Sequence, residues 1–210
     1  MKRIFAFALA LALMLSLCAC GGGTSTDTGT DSAQTVDIAV GPADAEQLEW
    51  WNGDWYGWWG GGKTTEEYSH MDNAWDCCAS IELDENGSGT ITIWDEDLPR
   101  SNCVAKAKVQ LADGETDLGA LVSTGGWFMD ADLEEGEWQI DAAGTEYDNM
   151  ISISGTILDE EGGSYEYHVV LRPWGQTWDD VEEDLLPEHY TDWYLPLVEA
   201  GESAPDTLIY

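Results

Sequence analysis

Period-two alternation constrains this chain more than any other feature. From Cys103 to Leu111, Cys103, Ala105, Ala107, Val109 and Leu111 fall on one side, and Lys106, Lys108 and Gln110 on the other. Successive side chains of a strand point to opposite faces, so this spacing makes a strand with one buried face. The same reading gives strands at Trp51 to Trp59, Trp75 to Leu83, Thr90 to Trp94, Leu118 to Ser123, Glu137 to Ile140, Met150 to Leu158 and Ser164 to Arg172. Turn residues separate them: Asp84 to Gly89, Ala112 to Glu115 and Asp159 to Gly163. Eight strands in sequence order with short loops predict an all-β fold, an antiparallel up-and-down β-barrel. A β-sandwich is the alternative, although closure removes the edges that a sandwich leaves open.

The barrel is expected over 48–172. After Pro173 the period changes. Thr177 reads as an N-cap, and Trp178, Val181 and Leu185 recur at helical spacing. Tyr190, Trp193, Tyr194, Leu197 and Val198 predict a second short helix, kinked at Pro196. Residues 173–210 are thus expected as a helical extension packed on the barrel, ending in an extended tail from Glu202.

The N-terminus reads as an address. Lys2 and Arg3 precede an apolar run from Ile4 to Leu17, shorter than a membrane span and right for a signal peptide. The run ends in Leu17-Cys18-Ala19-Cys20. This resembles a bacterial lipobox, which implies a signal peptide over 1–19 and lipidation of Cys20. The partner is then membrane lipid, bound through the acylated cysteine on the extracytoplasmic face. Residues 20–47 are rich in Gly, Ser, Thr, Asp and Ala, the composition of a flexible linker.

Trp50-Trp51-Asn52-Gly53-Asp54-Trp55-Tyr56-Gly57-Trp58-Trp59 is the densest motif. Its Gly53-Asp54-Trp55-Tyr56 is similar to the Gly-x-Trp-Tyr kernel of the lipocalin (calycin) superfamily. That likeness implies a cation from the last strand over the kernel indole, and Arg172 is the matching residue, forming a barrel-closing pair with Trp55. The whole chain also resembles Trp-rich, acidic lipoproteins of anaerobic Gram-positive gut bacteria. That likeness implies surface display and no particular activity.

Charge excludes several functions. There are 42 acidic side chains against 7 basic, a net charge of −35. Nucleic-acid binding needs clustered Lys and Arg, so it is excluded as a partner class. The carboxylate clusters at Asp95-Glu96-Asp97, Asp130 to Glu137 and Asp159-Glu160-Glu161 carry little information, because so acidic a chain brings carboxylates together by chance. Asp84 to Gly89 lacks the spacing of an EF-hand loop. His70, His168 and His189 show no ligand spacing with Cys77, Cys78 and Cys103, so no metal site is expected. Cys77 and Cys103 share the inward parity and Cys78 points outward. Two strand spacings, about 9.6 Å, separate strands two and four, too far for a bridge unless the chain curls. Which thiols pair stays open at this point.

Twelve tryptophans among many carboxylates fit sugar recognition, since indole faces stack on pyranose rings. Trp50, Trp51, Trp58 and Trp59 cannot all face inward, so some lie under the C-terminal extension or on a binding surface. The expected function is non-catalytic binding of a small molecule or glycan by a surface lipoprotein, with no catalytic residues and no cofactor. The ligand-binding candidates are Trp58, Trp59, Trp94 and Trp127. The alternative is a protein-interaction module of the cell envelope whose acidic surface meets a basic protein partner.

Overall fold

The computed structural model describes residues 43–63, 74–142, 149–158, 164–183 and 186–210. Helix α1 (Ala45–Trp51) comes first, followed by strands β1 (Gly53–Lys63), β2 (Ala74–Leu83), β3 (Ser88–Asp95) and β4 (Ala105–Ala112). Then come β5 (Ala120–Phe128), β6 (Ala131–Leu133), β7 (Gln139–Asp141), β8 (Ile151–Leu158) and β9 (Ser164–Pro173). A single π-type turn (Tyr190–Tyr194) leads into helix α2 (Leu195–Glu199).

All ladders are antiparallel and form one sheet in the order β6-β5-β4-β3-β2-β1-β9-β8. The first and last strands are neighbours, Tyr56 facing Arg172 in the register. This is the up-and-down order, curled into a half-barrel, and a single continuous sheet is not a sandwich. β6 and β7 share the free edge of β5, pairing with its Gly126–Phe128 and Ala120–Val122 halves respectively. No described ladder joins β7 to β8. Side chains bridge that side instead: the Trp138 indole N–H donates to the Tyr167 hydroxyl at 2.5 Å, and Phe128 stacks on Tyr167 at 4.0 Å.

The alternation decides which side chains fill the concave side. Cys77, Ala79 and Ile81 of β2, Ala105, Ala107 and Val109 of β4, and Tyr167, Val169 and Leu171 of β9 all join one inner core with Trp51, Trp55 and Trp138. Helix α1 packs onto this core at one end. Asp44 caps it by accepting the Glu46 N–H, and Trp51 and Gln47 donate to the carbonyls of Leu118 and Asp117. A second core lies on the convex side, where Tyr56, Cys78, Trp94 and Cys103 meet Trp178, Tyr190, Tyr194 and Leu208 of the C-terminal extension.

Several expectations need correction. The folded body reaches back to a helix at Ala45–Trp51, where the composition predicts linker through residue 47 and strand from 51. A ninth strand, β6, is only three residues long, too short for alternation to register. Around Trp178 to Val181 the chain forms turns rather than a helix, and Leu185 lies outside the described residues. Cys103 belongs to the convex core with Cys78, not to the inner face. It precedes β4, so the strand's parity does not extend to it. All three thiols are buried and free. Cys20, the expected signal peptide and most of the expected linker lie outside the described residues.

Candidate functional site

The convex face is divided. Over β1, β2 and β9 the C-terminal extension lies as a strap, and one buried carboxylate anchors it. Asp76, at an outward position of β2, is 4% exposed. It accepts the Tyr56 hydroxyl at 2.6 Å and the backbone N–H groups of Glu188 and His189 at 2.7 and 3.0 Å. Burial pushes its carboxyl above the usual carboxylate range, against the pull of those three donors. Tyr56 stacks flat on Tyr194 at 4.1 Å, and the Trp94 indole donates to the Pro205 carbonyl. This half of the face is sealed.

Arg172 is part of the same seal. It sits outward beside Tyr56, whereas Trp55 points inward against Trp50 at 5.2 Å. Neighbouring strand residues face opposite ways, so the barrel-closing pair of Trp55 and Arg172 is not what the register brings together. The guanidinium lies over Trp178 instead, 5.3 Å from the ring centroid. It binds Asp180 through two nitrogens at 2.6 and 3.0 Å and donates to the Thr177 carbonyl. The hydrogen bond from Arg172, with its charge adding less, holds the Asp180 carboxyl below the usual range. An open groove of about 400 Å³ runs past it, lined by Asn149, Arg172, Gly175, Gln176, Thr177 and Asp180. Arg172, the cation among the described residues that line that groove, is thus engaged by Asp180.

The strap buries Trp94 of β3 but leaves Lys106 and Lys108 of β4 exposed, and Thr90, Thr92 and Trp127 half-buried, on the rest of the outer face of β3–β5. Here Thr90 and Thr92 of β3 stand beside Lys108 and Lys106 of β4, and Lys106 in turn stands beside Trp127 of β5. Lys106 and Lys108 are exposed and Trp127 is half-buried against the convex core. A bulge between Lys108 and Val109 leaves Thr124 as the extra residue on β5. Next to it, Gly125 sits opposite Lys108 at φ +121°, where a side chain is strained. The result is a strip of sheet surface with an indole at one end, no side chain at Gly125, and hydroxyls and ammonium groups along its side.

Of the four tryptophan candidates, three are withdrawn from solvent. Trp94 is fully buried, Trp59 is 5% exposed and Trp58 is 8% exposed. Trp59 points inward, stacks on Trp75 at 4.7 Å and donates to Asp95 at 3.0 Å. Trp127 differs from the other half-buried tryptophans. Trp50, Trp75, Trp174 and Trp193 are each locked against another aromatic ring. The Trp127 ring has no aromatic, cationic or hydrogen-bonded partner among the described residues. Reading the sequence alone missed Thr90, Thr92, Lys106, Lys108 and Gly125 as its companions. The outward parity of Lys106 and Lys108 was the available signal. No known family model matches the sequence, and no curated protein matches it.

Proposed function

We propose that this protein is an extracytoplasmic lipoprotein, anchored to the membrane through acylated Cys20, that binds glycan without transforming it on the open outer face of β3–β5. The observation that carries the reading is Trp127: a half-exposed indole with no ring partner among the described residues, on a partly open sheet face, among hydroxyl and ammonium donors. An indole face takes the apolar side of a pyranose ring while neighbouring donors bind its hydroxyls. A flat sheet face offers little enclosure, which suits a polymer bound along its length better than a small molecule. The concave side is filled by the inner core, so the barrel interior adds nothing to this reading.

Affinity electrophoresis of the full chain through gels containing soluble polysaccharides tests the binding. At least one polymer should retard the wild type, and Trp127→Ala should abolish the retardation. Retardation by no polymer, or equal retardation of both proteins, refutes it. Mass spectrometry of the mature N-terminus tests the anchor: a diacylglyceryl group on Cys20 is expected, and a chain that starts elsewhere refutes it.

A further inference from the structure

We infer that the glycan taken at this surface is acidic, and that Lys106 and Lys108 select it by pairing with carboxylates on neighbouring sugar units. The inference rests on the reading of Trp127 as a glycan platform and adds the chemical class of the ligand.

The argument starts from scarcity. Only five basic residues lie beyond the leader: Lys63, Arg100, Lys106, Lys108 and Arg172. Two of them occupy successive outward positions of one strand, about 6.8 Å apart along the chain. In a chain of net charge −35, cations are not needed for solubility. If they served to neutralise the protein's own carboxylates, they would lie against them. Arg100 and Arg172 do so: Arg100 reaches Asp54 at 3.5 Å and Glu82 at 3.6 Å, and Arg172 holds Asp180. Neither Lys106 nor Lys108 makes an ion pair with any described residue. Two ammonium groups on one face without an ion pair to any described residue, in a protein with 42 acidic side chains, mark the place where charge is left for something else.

The surroundings fit the same ligand. Thr90 and Thr92 flank the lysines with hydroxyls, and Trp127 is the cross-strand neighbour of Lys106. Among the described residues, two carboxylates stand beside the patch in the sheet register. Asp132 faces Trp127 in the β5–β6 register, and Glu82 faces Thr90 but is drawn toward Arg100. At physiological salt the screening length is about 8 Å, so the more distant carboxylates repel an anion weakly while direct contacts with the two lysines persist.

Isothermal titration of the full chain with polygalacturonate and with its fully methyl-esterified form separates charge from sugar. The two polymers share a backbone and differ in carboxylate charge. The wild type should bind the acid about tenfold more tightly than the ester. In Lys106→Gln/Lys108→Gln that preference should shrink to within about twofold, most of the loss falling on the acid. Trp127→Ala should weaken both. Equal wild-type affinities, or a preference that survives the lysine substitutions, overturn the inference and leave the glycan platform standing. Binding of both polymers undiminished by Trp127→Ala overturns the platform itself, and binding of neither polymer overturns the inference.

Discussion

Asp76 is the best place to challenge the account of how the strap is held. Truncation by Asp76→Ala would strand three donors: the fully buried Tyr56 hydroxyl and the N–H groups of Glu188 and His189. Each stranded buried donor costs about 1–3 kcal/mol. The Tyr56 hydroxyl should bear the full cost, but Glu188 is exposed and water can reach the two backbone groups. Relieving the cost of burying a carboxylate offsets part of the loss. The net destabilisation should be about 2–3 kcal/mol, the upper half of what most single substitutions do. Tyr56→Phe removes only one hydrogen bond and should cost about 1–1.5 kcal/mol. The double variant should cost less than the sum, because both changes break the same contact. Urea melts give the magnitudes, and amide exchange at Glu188 and His189 locates the damage. A loss below about 1 kcal/mol for Asp76→Ala would show that the strap is held by its aromatic contacts and not by this carboxylate.

The same group sets a pH dependence. Burial raises the Asp76 carboxyl above its unfolded value, so the folded state binds the proton more tightly. Stability from this source is greatest below the ordinary carboxylate range and is lost as pH rises through the raised value. Asp76→Asn should flatten that part of the stability–pH curve. Arg172→Ala should cost about 1–3 kcal/mol, because the guanidinium is buried while its partner Asp180 is half exposed. Urea melts check it, and an effect within error would make the Arg172 contacts decorative. Asp180 works in the opposite sense to Asp76, its contribution being present above the ordinary carboxylate range and lost as pH falls. Gly126→Ala should destabilise by about 2–4 kcal/mol, since a Cβ there would collide with the Lys106 carbonyl and backbone of β4 at φ +148°. An unchanged melting midpoint would refute the tight approach of β4 and β5.

The strands were legible because one face of each is buried and the other is not. Ala105 to Leu111 shows this most clearly, every second residue joining the inner core. Helix α1 left a weaker signal, Asp44 followed by the helix formers Ala45 to Glu49, which the linker-like composition before it obscured. The neighbourhood of β1 and β9 follows from strand order alone. The partner of Arg172 does not, because order fixes which strands touch and parity fixes which faces do. Asp76 was illegible for a different reason. Nothing local separates this structural carboxylate from the other forty-one acidic side chains, since its backbone partners at Glu188 and His189 are more than a hundred residues away. The tryptophans posed the same problem. Their number pointed to indole recognition, but which ring stays accessible depends on where the strap lies.

That dependence makes the indole N–H resonances the most direct readout. Twelve tryptophans give twelve indole cross-peaks in a nitrogen–proton correlation spectrum of the full chain, assignable by single substitution. Titration with a polysaccharide that retards the protein should shift the Trp127 peak first and most, and leave those of Trp58, Trp59 and Trp94 in place. A spectrum in which Trp127 stays fixed while Trp75, Trp174 or one of the buried indoles moves would contradict the assignment of the binding face to β3–β5.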